Sequence, residues 1–462
     1  MRPPALPKLS APAALNRPRR RLLGGLGASA LLMSLPGCGG GPSPGWSSPL
    51  AVASASGQAS GLRVVWGGGG SALAVWETET AGVRRVMAAG LDSTASTPAI
   101  TATALDTPDS GDPRLPDVAM DASGRAWVVW RQAQPAGGDW VLARRYEPGD
   151  GWLPVEVLGP AATGADRPPR VAMNSSGHTT ATWLRDSPAG RPVVARTWLP
   201  GSAWTAERRL DVLDTLTRPP VVTVDGRGHG IAVWTQRDSG APGPFVLWST
   251  DLNPGAAGLI SGAVEATSTE GDLLRVVTLS GGVALAAWRA LEAPGLISVR
   301  TSLDIPGLFW NPTASPSGAV QSVTALDLAA GAGNASAIWW VENNGARERL
   351  MLQRLANGTV PGTPPWTLRD EPAGAGMVPR GVMTRAGDVI SLWESGPSGN
   401  AALWTSSQAP GSVPGSALRL DNAFSVGVSA SGIARGPGDL VVAAWTQPTS
   451  SGHRLWLRWL AP

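Results

Sequence analysis

Three arginines stand at one offset in consecutive repeats: Arg114-Leu-Pro116, Arg167-Pro-Pro169 and Arg218-Pro-Pro220, each sixteen residues before a tryptophan (Trp130, Trp183 and Trp234). A guanidinium is a planar fork of donors suited to carboxylate or phosphate. Three of them in register are candidate ligands for an anion or an acidic partner loop. Asp272 holds the equivalent place in the next repeat. The competing reading, exposed arginines paired with nearby aspartates, predicts only ordinary surface charge. Asp186 and Asp238, from neighbouring repeats, are the kind of pair a glycosidase uses, but nothing in the sequence separates them from solvated loop acids. His178 and His229 lie five residues before Trp183 and Trp234 and read as solvated turn residues rather than metal ligands. There is no His-Glu-x-x-His, Cys-x-x-Cys-His or adjacent cysteine pair, so no catalytic residue, metal or cofactor is expected.

The elements that would position these residues repeat with the tryptophans. Trp76, Trp130, Trp183, Trp234, Trp288, Trp339, Trp393 and Trp445 end short apolar runs at intervals of 51 to 54 residues. The clearest unit runs from Pro116-Asp-Val-Ala-Met, through Ala126-Trp-Val-Val-Trp130 and Trp140-Val-Leu-Ala-Arg-Arg-Tyr, to Gly151-Trp-Leu-Pro-Val-Glu-Val-Leu158. Four β-type runs separated by glycine, proline and aspartate turns make one four-stranded sheet. Eight such units predict an all-β fold, an eight-bladed β-propeller of four-stranded blades. Gly45-Trp46 matches the fourth-strand pattern Gly151-Trp152, whereas the chain ends on a third-strand pattern, His453 to Leu460. The N-terminal strand, residues 46–52, should therefore close the ring as part of a single domain, 46–462.

The first 37 residues read differently. Arg17-Pro-Arg-Arg-Arg21 precedes a short apolar stretch, Leu22 to Leu35, too short for a membrane span and suited to a signal peptide. Six of the 37 basic residues precede residue 22, so the rest of the chain carries 31 basic against 34 acidic groups and lacks the basic excess of a nucleic-acid protein. Leu35-Pro-Gly-Cys38 resembles the lipobox of bacterial lipoproteins, and Cys38 is the only cysteine. That resemblance implies acylation of Cys38 after removal of residues 1–37, with 38–45 as a short tether. Arg19-Arg20-Arg21-Leu22-Leu23 is also similar to the twin-arginine export motif, and both that route and the general secretory route stay open. Gly39 in place of aspartate implies the outer membrane, on its periplasmic face.

Val118 to Trp130 resembles the strand-turn-strand of NHL-type propellers, and the turn Asp121-Ala-Ser-Gly124 is similar to sialidase aspartate boxes. A lipid-anchored eight-bladed propeller is similar in plan to the BamB-type outer-membrane lipoproteins, which act as scaffolds in β-barrel assembly; their repeats are shorter, so only the architecture carries over. The expected function is a non-catalytic binding or scaffold module working through its loop face. Its partner would be an envelope protein or an anionic ligand, its membrane contact the lipid anchor, and nucleic acid is excluded. The alternative is a propeller enzyme, a glycoside hydrolase or lyase acting on envelope or extracellular polysaccharide.

Overall fold

The computed structural model describes residues 45–461, apart from 93–101, 108–110, 135–136, 164–166, 188–189, 212–216, 238–244, 253–260, 266–272, 305–309, 312–313, 398 and 422–426. The expected signal peptide, Cys38 and nearly all of the tether lie outside the described residues, as do Asp238 and Asp272.

Ala72-Leu-Ala-Val-Trp76 is buried at every position, and Ile231-Ala-Val-Trp234 likewise. A strand apolar on both faces must be covered on both sides, and the fold provides this by standing eight antiparallel sheets around an axis. Their first strands are Gln58–Trp66, Pro113–Met120, Arg170–Met173, Val221–Val224, Leu274–Thr278, Ser322–Ala330, Val378–Met383 and Ala430–Arg435. Each touches the next, and the last returns to the first. The molecule is a closed eight-bladed β-propeller, with blades numbered 1 to 8 in that order. Seven blades have four named strands; blade 5 has three, and isolated bridges from Trp310, Ala314 and Val320 line its outer edge.

Closure takes the expected form. Blade 8 has the order Leu50–Ser56, Gly452–Leu460, Val441–Thr449, Ala430–Arg435, so its outermost strand comes from the N-terminal side. Pairing runs from Leu50 opposite Leu457 to Ser56 opposite Gly452, and a bridge from Trp46 to Leu460 extends it.

Outside blade 6, each repeat tryptophan packs against the preceding blade: Trp130 on Leu73 and Val75, Trp445 on Leu392, Trp76 on Val442 and Ala444. Blade 6 departs from the expected spacing. Trp340, not Trp339, packs on Leu285 and Ala287 of blade 5, while Trp339 faces forward to Trp393. Trp339 also comes so close to blade 7 that a Cβ on Gly381 would lie 2.2 Å from its ring.

The blades alternate in detail. In blades 2, 4, 6 and 8 the buried indole N–H donates to the side chain two residues on: Trp130 to Gln132 (2.8 Å), Trp234 to Gln236 (3.1 Å), Trp340 to Glu342 (2.9 Å) and Trp445 to Gln447 (3.1 Å). In blades 1, 3 and 7 a buried aspartate after a leucine accepts a third-strand N–H and an arginine: Asp106 from Val86 and Arg85, Asp211 from Val193 and Arg209, Asp421 from Leu403 and Arg419. Blade 5 uses Ser317, which accepts the N–H of Val299 at 2.8 Å. The structural repeat is therefore a pair of blades, about 105 residues, present four times.

Candidate functional site

Loops entering the first strands, and loops between second and third strands, open on one face. Arg114 lies there, just before Leu115, whose positive φ of 57° kinks the strand. Arg114 pairs with Asp112; Asp112 also takes Arg84 at 3.2 Å, and Arg84 takes Glu79 at 2.9 Å. Arg167 donates to the carbonyl of Thr163. Arg218 lies over the ring of Phe245 at 5.2 Å, which Arg237 shares at 5.3 Å. A further arginine links two of the three. Arg131 is buried and paired with Asp139 at 3.1 Å. Burial lowers its pKa, Asp139 opposes that, and Arg114 and Arg167 lower it further. The fold thus gathers Arg114 and Arg167 around Arg131, with Arg218 one blade on in its own cluster with Arg237.

Other candidate groups on this face are held by neighbours. Glu77 accepts the N–H of Leu115 at 2.7 Å; burial raises its pKa, with Leu115, Arg84 and Arg114 opposing. Asp186 is pushed up by burial, but the N–H and hydroxyl of Thr163 and the guanidinium of Arg191 outweigh that and hold it below the usual carboxylate range. On the opposite face Asn174 and Asp225 close the turns beneath His178 and His229 by accepting their backbone N–H groups. His229 is solvated as expected. His178 is not: its ring lies on the backbone of the next blade, where a Cβ on Gly228 would fall 1.8 Å from Nδ1.

Two concavities stand out. A cavity of about 550 Å³ opens on the loop face at the seam of blades 7, 8 and 1. Six glycines line it, Gly374, Gly376, Gly396, Gly399, Gly427 and Gly452, with Gln58, Ser429, Glu394 and His453. Glu348 fixes one wall by accepting the N–H of Gly376 at 3.0 Å, and Glu394 accepts the hydroxyl of Ser431 at 2.6 Å. His453 is buried, accepting the N–H of Trp76 on Nε2 (2.9 Å) and facing the carbonyl of Gly57 with Nδ1 (3.0 Å). That pairing defines a neutral ring protonated on Nδ1, and burial accordingly lowers its pKa.

The second concavity, of about 340 Å³, occupies the central channel. In blades 1 to 7 its wall is the residue thirteen before the tryptophan that packs on the preceding blade (Trp340 in blade 6): Arg63, Asp117, Arg170, Val221, Arg275, Asp327 and Arg380, with Gly381 and Ile433 beside them. Arginine comes from every odd blade. Asp117 sits between Arg63 (3.8 Å) and Arg170 (3.9 Å), and Asp327 lies 3.6 Å from Arg275. Both aspartates are also committed to the following blade, accepting the N–H of Val171 at 3.0 Å and of Gly381 at 2.9 Å. Burial lowers the pKa of Arg63 to about 10, with Arg170 adding and Asp117 opposing; burial does the same to Arg275, opposed by Asp327. The offset that singles out Arg114, Arg167 and Arg218 would have found this ring three residues further along. The shift between Trp339 and Trp340 hides Asp327 from it.

No protein family matches the chain, and no curated protein does. Among solved structures it is similar to a prolyl endopeptidase at 12% identity and a TM-score of 0.47, covering 87% of this chain and 54% of that one. It is similar to the polysaccharide lyase Uly1 at 9% identity and a TM-score of 0.46, covering 85% and 88%. A leech intramolecular trans-sialidase matches at 10% identity and a TM-score of 0.38, covering 84% and 82%.

Proposed function

We propose that the chain is a lipid-anchored protein of the cell envelope that binds a partner through the loop face of its propeller. The binding half of this reading rests on the seam cavity. Where six glycines line a wall, peptide N–H and C=O groups replace side chains, and such a wall suits the backbone of a partner's loop or extended segment. Among the described lining residues Glu394 is the sole carboxylate, and Ser431 already donates to it. Two carboxylates at a set separation, as glycoside cleavage needs, are not assembled from those residues, which favours a binding or scaffold role over polysaccharide cleavage.

The anchoring half rests on Leu35-Pro-Gly-Cys38 and on Cys38 being the only cysteine. Acylated there, with Gly39 following, the propeller would hang from the outer membrane facing the periplasm. Palmitate labelling and membrane fractionation test it: Cys38→Ala should abolish label and release the protein, and equal retention of variant and wild type would refute the anchor. Affinity capture of the full-length lipoprotein from solubilised envelopes tests the partner. A polysaccharide cleaved by the purified chain would instead favour the enzyme.

A further inference from the structure

We propose that the central channel binds a small dianionic oxyanion, a phosphate or a dicarboxylate, between the arginines of blades 1, 3, 5 and 7. This inference does not depend on the loop-face reading, because it concerns a different concavity with a different wall.

Charge is the first argument. Arg63, Arg170, Arg275 and Arg380 face Asp117 and Asp327 across one cavity, leaving an excess of two positive charges in a confined space. Four guanidinium groups brought together and partly withdrawn from water repel one another, and a structural network would be expected to balance them. The aspartates do so incompletely: they stand 3.6 to 3.9 Å from their arginines and spend an oxygen each on backbone N–H groups. Arg63, Arg275 and Arg380 each give one Nη1 to the carbonyl of the preceding residue. A guanidinium has five donors, so most of each fork remains for a ligand in the cavity.

Symmetry is the second argument. Around the ring the order arginine, aspartate, arginine, apolar is followed by arginine, aspartate, arginine, glycine. Opposite blades therefore carry like residues, Arg63 facing Arg275 and Arg170 facing Arg380, and the channel is a two-fold clamp. A dianion with two equivalent ends, or a phosphate on the axis, matches both the charge and the symmetry. Burial, and then the neighbouring arginines, disfavour the charged forms of Arg63 and Arg275, with Asp117 and Asp327 opposing. A counter-anion relieves that cost.

The test is a thermal melt and a calorimetric titration of the full chain in detergent, with inorganic phosphate or succinate, and potassium chloride at equal ionic strength as control. At saturation at least one probe should raise Tm by about 2 °C or more, with no such rise in chloride. A rise with phosphate alone assigns a phosphate ligand, and one with succinate alone a dicarboxylate. In Arg63→Gln with Arg275→Gln that rise should vanish while the ligand-free Tm holds or increases. In Asp117→Asn with Asp327→Asn, which keeps an acceptor for each backbone N–H, binding should tighten about tenfold. Absence of a rise with either probe, or its persistence in the arginine variant, would overturn the proposal. A fall in ligand-free Tm with no response to either anion would identify the ring as a structural network only. If the arginine variant does not fold, the asparagine variant decides: unchanged or weaker binding overturns the site.

Discussion

His453 sits where the last blade meets the first, and its two ring nitrogens hold that junction through Trp76 and Gly57. In the unfolded chain the imidazole titrates near 6.5; in the fold its pKa is lower. Between those values the unfolded chain binds more protons, so stability contributed here is complete above about pH 6.5 and is lost as pH falls through the folded pKa. Melting curves from pH 8 to 5 should show this acid limb, and His453→Gln should flatten it. His453→Leu should lower stability by about 1–3 kcal/mol at neutral pH by stranding the Trp76 N–H. Gly228→Ala should also destabilise, since the methyl group must displace the His178 ring and adopt φ of +94°. Neither role was legible in the sequence. His453 reads as one of three histidines, and His178 as a turn residue, because contacts between blades join residues about 50 or nearly 400 positions apart.

At the scale of the element, strand number, blade number and closure were legible because tryptophan punctuates every blade. The two-blade period was not. It is carried by the residues around the tryptophans, the Gln132, Gln236, Glu342 and Gln447 acceptors and the Asp106, Asp211 and Asp421 locks, rather than by the tryptophans themselves. In blade 6 the doubled Trp339-Trp340 offers two registers, and packing selects the second. Gly381→Ala should expose that choice: its methyl would enter the Trp339 ring, costing about 1–3 kcal/mol in chemical denaturation. Deleting residues 46–56 should bare the edge of Gly452–Leu460 and cause aggregation. A soluble truncated chain with wild-type Tm would show that the ring closes without that strand.

For the whole molecule, the question is which surface meets a partner. Arg114, Arg167 and Arg218 were legible as a register of cations. Their placement in two clusters around Arg131 and Phe245 depends on side chains from other strands and loops. Replacing all three with alanine should change stability little, at about 0–1 kcal/mol for each partly exposed pair; a salt-insensitive loss of capture would argue against a charged contact there. Gly374 and Gly427, and Gly399 and Gly452, stand one repeat apart at 53 residues, but the seam cavity was not legible in the sequence, since its wall is completed by Gln58 from the far end of the chain. Capture from solubilised envelopes should be compared between the wild-type lipoprotein and Gln58→Trp with Ser429→Trp, two exposed positions on the cavity wall whose indoles would fill it without touching the core. The account predicts unchanged Tm and loss of the captured partner at least tenfold in yield by quantitative mass spectrometry. A partner retained in full by a folded, cavity-filled variant would contradict binding through the loop face at this seam.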